Sequence, residues 1–265
     1  VEKLLDQNIR DVIARYPGVA GVLEGYRIAC TSCQVGTCRL RDVVEIHSLS
    51  EADERILFTE IARIVHPGEE VEIPRLVRKP AAPAGKKLSP AVRLMVDEHV
   101  RIKKVIAAVP GLVDRLEDSF AERKETLRGV VEFVRKYADK FHHAKEEDLL
   151  FNLFETESEL VPSMLKEHEL GRSYIREAVG GIDTGNPELV RKNLLLYGEL
   201  LSGHIAKEDD IIYPWMDRRL TDSQVGRIYS RSMEIAGEFG PEAGRLESFA
   251  DRLYETYAPG ARTGG

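Results

Sequence analysis

Seven histidines stand in the 265-residue chain, and five of them, His99, His142, His143, His168 and His204, fall within one stretch of its middle and later part. Their placement is repeated. HHAKEEDLLF from position 142 aligns without a gap on HIAKEDDIIY from position 204, so His142 matches His204, Glu146 matches Glu208 and Phe151 matches Tyr213. MVDEHVRIKKVI from position 95 aligns on MLKEHELGRSYI from position 164 and sets His99 opposite His168. The stretch therefore reads as a duplicated helix pair, each copy giving a lone His and a His-x-x-x-Glu. At about 100° per residue, a step of four returns a side chain to nearly the same helix face one turn on. His142 with Glu146, and His204 with Glu208, can each reach one point on a bundle axis. Four imidazoles and two carboxylates there are costly to bury unless a cation compensates them. Imidazole and carboxylate together suit iron, manganese or zinc.

Counting coordination positions narrows the chemistry. Two six-coordinate ions offer twelve positions; four imidazoles, two bridging carboxylates and a bridging oxo or hydroxo group fill ten of them. Two positions stay open, which describes a reactive dinuclear centre and not a closed structural one. Two other helical metal signatures fail. No Glu stands three residues before any of these histidines, as a Glu-x-x-His di-iron site needs, and His168-Glu169-Leu170-Gly171 runs into Arg172 where a zinc-protease HExxH motif needs His. His143 stands opposite Ile205 in the repeat and is expected to flank the centre. His47 and His66 read as surface histidines, and Glu98 and Glu167 as solvated helix residues, with orientation of the imidazoles as their alternative use.

Elements long enough to place these residues are visible in the pattern. Leu, Val, Ala, Glu, Lys and Arg recur at three-and-four spacing almost throughout, which predicts an all-α fold. Four short helices are expected over about 7–15, 19–26, 39–47 and 50–65, the last capped by Ser50 and stopped before Pro67-Gly68. They form a small cysteine-bearing domain over 1–65, followed by a proline-rich linker over 66–88. A four-helix up-down bundle is expected over 89–220. Its first helix opens with Ser89-Pro90 and runs to about Val109; its second covers about 118–154; its third covers 162–179, ended by Gly180-Gly181; its fourth opens with Asn186-Pro187 and reaches about Tyr213. The capping box Thr221-Asp222-Ser223-Gln224 starts a C-terminal helical extension over 221–265, with another helix from Pro241 to Tyr257 and a disordered tail beyond.

Composition removes several function classes. Lys and Arg number 38 against 45 Asp and Glu, a net charge of −7, and no basic run offers a footprint for nucleic acid. The longest nearly uninterrupted apolar run, Val105 to Val113, is broken by Pro110 and Gly111 and is far short of the roughly 20 residues that span a bilayer. The start of the chain, VEKLLDQNIR, lacks the apolar core of a signal peptide, so no membrane segment or export is expected. All three cysteines fall in CTSCQVGTC, as Cys30, Cys33 and Cys38. They suit a reducing cytoplasm and a redox dithiol, a metal or cluster site with His47 as a conceivable fourth ligand, or plain free thiols.

Over about 88–216 the chain resembles the hemerythrin-like proteins, and among them the di-iron proteins of iron–sulfur cluster repair. The resemblance implies the ligands His99, His142, Glu146, His168, His204 and Glu208, holding two iron ions with a bridging oxo or hydroxo group. Oxygen-carrying members add a fifth His one turn after the His of the third helix, and Arg172 stands there, which brings the chain closer to the repair group. The carriers also use Asp five residues after the last His; Asp209 is in that place, but five residues rotate by about 140° in a regular helix, so Glu208 is preferred and Asp209 is the runner-up. YPGVAGVLEGYRIAC is similar to the short N-terminal domain often joined to repair-type bundles, although that domain typically has adjacent cysteines. The resemblance implies reaction with nitric oxide or oxygen under stress, a di-iron redox activity, and a client iron–sulfur protein. Its alternatives are reversible oxygen binding or sensing, and iron delivery without catalysis. A homodimer is compatible with all three.

Overall fold

The computed structural model describes residues 2–26, 28, 39–47, 49–69, 73, 88–154 and 160–259. Among the described residues the chain is all-α, with one isolated bridge between Asn8 and Arg39 and no strand. It divides into two compact units. One comprises Val1–Lys87, Phe154–Met164 and Ile211–Arg219, the other Leu88–Leu153, Leu165–Asp210 and Leu220–Gly265.

In the first unit, α1 (Glu2–Leu5), α2 (Ile9–Arg15), α3 (Gly18–Gly25), α4 (Leu40–Ile46) and α5 (Glu51–Val65) surround an apolar core of Val12, Val19, Leu23, Leu40, Leu57 and Phe58. Local signals set the ends. Asn8 accepts a hydrogen bond from the Arg10 amide, and Ser50 accepts one from the Asp53 amide, each satisfying an amide that the first helical turn leaves open. Cys30, Cys33 and Cys38 lie outside the described residues, as do most positions of the expected linker.

The second unit contains most of the expected four-helix bundle. Its α6 (Pro90–Val113) is capped by Ser89, which accepts from the Val92 amide, and continues through Pro110 into its last turn. A second helix, α7 (Leu116–Phe133), passes into wide π-helical turns over Val134–His143 and Glu146–Leu150. The third, α8 (Leu160–Thr184), runs through Gly180 and Gly181 where a stop is expected from sequence. The turn comes at Gly185, with φ of +71°, a left-handed conformation that favours glycine. Gly181 has a packing reason instead: a Cβ there would come within 2.8 Å of Val190. Asn186 then caps α9 (Pro187–Lys207) through the Leu189 amide, and α9 too passes into a π-helical turn, Glu208–Ile212.

After the short α10 (Tyr213–Asp217), the capping box at Thr221 and Gln224 opens α11 (Asp222–Tyr257). Two helical segments join within α11 at a kink, Gly240 with φ of +39° followed by Pro241. Leu246, Ala250 and Leu253 of its later part enter the same apolar core as Val105, Val130, Phe133 and Leu194. Asp251 takes up Arg101 at 3.1 Å and Lys104 at 2.6 Å. The extension is thus a fifth packing layer of its unit, and Ala258, expected to begin a disordered tail, is a buried cap whose amide donates to the Tyr254 carbonyl.

Candidate metal centre

Six side chains singled out by the repeat, His99, His142, Glu146, His168, His204 and Glu208, are all buried within the second unit. Together with His143 they fall into two overlapping groups that share Glu146. One consists of His99, His142, Glu146 and Glu208, the other of His143, Glu146, His168 and His204, and the donor atoms of each group lie within 4.8 Å of one another. The halves have nearly the same geometry. His99 and His142 meet Nε2 to Nε2 at 2.9 Å with rings 64° apart, and His168 and His204 meet Nε2 to Nε2 at 2.9 Å with rings 57° apart.

The outer nitrogen of each imidazole explains which face is left for a cation. Nδ1 of His99 meets Asp209 at 2.7 Å, that of His142 meets Glu98 at 2.9 Å, that of His168 meets Glu147 at 2.7 Å and that of His204 meets Glu167 at 2.8 Å. A carboxylate accepts, so Nδ1 carries the proton and donates it, and in the neutral ring Nε2 then presents a lone pair. Two lone pairs 2.9 Å apart require a positive charge between or beside them. Glu208 tells the same story: Oε1 lies 3.0 Å from His204 Nε2 and Oε2 3.3 Å from His99 Nε2, yet neither buried oxygen accepts a hydrogen bond. The donor set fits two cations that share carboxylates.

Electrostatics points the same way. Burial opposes charge on His142, but Glu146 and Glu98 outweigh it and push the imidazole up to about 10. Burial likewise opposes charge on His204, while Glu208 and Glu167 push it up to about 9. Desolvation would raise Glu146 and Glu208, yet both are held below the ordinary carboxylate value by the imidazoles around them. The cluster demands positive charge, and a cation would take the place of the imidazole protons.

Glu98 and Glu167 are not the solvated helix residues expected from sequence. Each is hydrogen-bonded to its His and to a lysine, Lys145 for Glu98 and Lys207 for Glu167. Lys145 is 1% exposed and lies 3.5 Å from the Phe141 ring centroid, so its ammonium is held by a carboxylate and an aromatic face. This layer repeats as well: Glu98 aligns with Glu167, Lys145 with Lys207, Asp209 with Glu147, and Lys103 with Arg172. Lys103 binds Asp209 at 2.5 Å, and Arg172 binds Glu147 at 2.7 Å and Asp139 at 2.7 Å. Arg172, where a carrier would have His, thus braces the carboxylates beside the centre. Glu208 stands in the cluster, and Asp209 behind His99.

His143 is the residue that sequence reasoning set aside. It is buried, stacks on His168 with centroids 4.0 Å apart and planes 13° apart, and joins the second group of donors. The physical reason is the π-helical turn over Val134–His143: wider turns rotate successive residues by less than an α-helix does, so two adjacent histidines can face one interior. Burial and the neighbouring His168 push His143 down to about 3, leaving a neutral imidazole. Beside it lies a cavity of about 160 Å³, lined by Asp139, His143, His168, Arg172, Tyr197 and Leu201 among others. Away from the centre, His47 is half-buried and pushed down by that burial, and His66 pairs with Glu69 at 3.5 Å.

The bundle and its buried donors have the chemistry of a cation-binding centre. Residues 91–216 match the family model described as the hemerythrin HHE cation binding domain. No curated protein and no solved structure matches the chain significantly. No helix among the described residues is long and apolar enough to cross a membrane.

Proposed function

We propose that the chain is a cytoplasmic non-haem di-iron protein that reacts with nitric oxide or oxygen and supports iron–sulfur cluster repair under nitrosative or oxidative stress. One observation carries the reading: two donor groups of matched geometry share a buried carboxylate, Glu146. His99, His142, His168, His204, Glu146 and Glu208 would hold the irons. Bound iron would supply redox equivalents and Lewis acidity toward a small diatomic molecule. The chain's own residues do the rest. Asp209, Glu98, Glu147 and Glu167 fix the imidazoles in the tautomer that turns Nε2 inward. Phe151, Leu201 and Ile205 exclude water around the donors, which keeps their electrostatic interactions strong.

The repair role rests on the resemblance and on Cys30, Cys33 and Cys38, the only thiols in the chain that could receive iron or sulfide. A second reading, reversible oxygen binding, is favoured by the fifth imidazole in the cluster. Anaerobic reduction of the iron-loaded protein, followed by parallel spectra under nitric oxide and oxygen, separates the two. Rapid, irreversible change under either gas is expected; a colour under oxygen that bleaches on degassing would replace the first reading with the second. Replacement of the three cysteines by Ser is expected to abolish restoration of a damaged iron–sulfur enzyme while leaving the gas spectra unchanged.

A further inference from the structure

The two halves of the centre keep a carboxylate behind each of the four repeated imidazoles and a basic residue behind those carboxylates, and differ most in one pair of positions. In the first half, Asp139 and His143 stand one turn apart; the ungapped alignment places Leu201 and Ile205 at the same positions of the second half. All that is polar in one half is apolar in the other, and Leu201 and Ile205 are both buried in the apolar core. Asp139 Oδ1 lies 3.9 Å from His143 Nδ1, on the ring edge where each of the other four imidazoles meets its own carboxylate. A fifth carboxylate thus stands beside the fifth imidazole, but too far for a hydrogen bond, so the buried Nδ1 of His143 has no hydrogen-bond partner; the second half has no counterpart to either group.

Direction follows from the repeat. His143 comes from the first half but stacks on His168, the lone histidine of the second half. The equivalent residue of the second half, Ile205, therefore belongs on the His99 side. Taking the di-iron reading above as its basis, we propose that His143 is a seventh protein ligand that closes the His168/His204 iron, and that Ile205 leaves one position open at the His99/His142 iron. The two irons are then unequal, and a small anion or diatomic ligand is confined to a single, apolar-walled position. Asp139 flanks the His143 ring at 3.9 Å, and Arg172 braces Asp139 and Glu147 together. His143 and His168 both line the 160 Å³ cavity. Of the two open positions that the four-histidine count leaves, one is removed by His143.

Azide titration of the full-length, iron-loaded protein tests this, read by iron content, absorption and Mössbauer spectra. The wild-type chain is expected to bind two irons in two unequal environments and one azide. His143→Ala should make the environments alike and raise azide binding to two per chain, and free imidazole should restore both wild-type signatures. Ile205→His, with iron content and melting temperature checked, should reduce azide binding to none. Two azides bound by the wild-type protein, or a His143→Ala variant with unaltered spectra and stoichiometry, would overturn the asymmetry while leaving the di-iron reading intact. A wild-type chain that takes up fewer than two irons would overturn both.

Discussion

The first and second halves of the centre form a comparison built into the chain. Both present a lone His and a His-x-x-x-Glu, both hold the His nearest that Glu through a Glu–Lys pair, and both bring their imidazole nitrogens to 2.9 Å. They part where Asp139 and His143 face Leu201 and Ile205, and in the basic brace, where Arg172 bridges two carboxylates and Lys103 serves one. What is shared between the halves builds the cation sites. On the proposed reading, what differs would decide how an outside molecule meets them. A duplicated fold can thus set two buried donor groups side by side with repeated parts and still make them unlike at a few positions.

The largest effect should come from the one donor that belongs to both groups. Glu146→Ala is expected to lose nearly all iron, whereas His99→Ala and His168→Ala, equivalent in the repeat, should each lose less and by similar amounts. Iron per chain by elemental analysis checks all three, and strongly unequal losses in the two histidine variants would break the symmetry of the shared layer.

Next come the outer carboxylates. Glu98→Ala and Glu167→Ala should each weaken iron binding by about 10- to 100-fold, because the imidazole loses the partner that fixes its tautomer. Their effects on folding should differ. Lys145 is 1% exposed and Lys207 11%, so Glu98→Ala, which strands the more deeply buried ammonium, should cost about 3 kcal/mol and Glu167→Ala less. Urea unfolding of the iron-free variants measures this.

Smaller still is the exchange of the basic braces. Arg172 spans Asp139 and Glu147, a bridge that a single ammonium cannot reproduce, so Arg172→Lys should cost about 1–2 kcal/mol in urea unfolding. Lys103 is 53% exposed and serves Asp209 alone, so Lys103→Arg should stay within about 0.5 kcal/mol. Equal costs would mean that Arg172 is only a surface charge.

Much of the bundle is legible in the chain because its signals are local. Ser89-Pro90, Asn186-Pro187 and the Thr221–Gln224 box mark helix starts through hydrogen bonds that span a few residues. The six repeated donors are legible because duplication preserves register. Glu98, Glu167, Lys145 and Lys207 carry the same signal and could be found by extending the alignment outward from the histidines, since a solvated residue has no need to repeat. His143 could not be found from α-helical spacing, because its position depends on the π-helical turn that forms around it. Of the two neighbours, Glu208 stands among the buried donors and Asp209 against His99 Nδ1, because α9 holds regular geometry through Lys207 and a step of four returns to the same face.

The most direct test of the two-cation centre is a count of bound iron. Full-length protein is loaded anaerobically with ferrous iron, freed of excess metal and analysed for iron per chain beside His142→Ala and His204→Ala. Two irons per wild-type chain are expected, with most of the metal lost in each variant. Less than one iron per wild-type chain, or variants that retain two, would contradict a centre built on these residues.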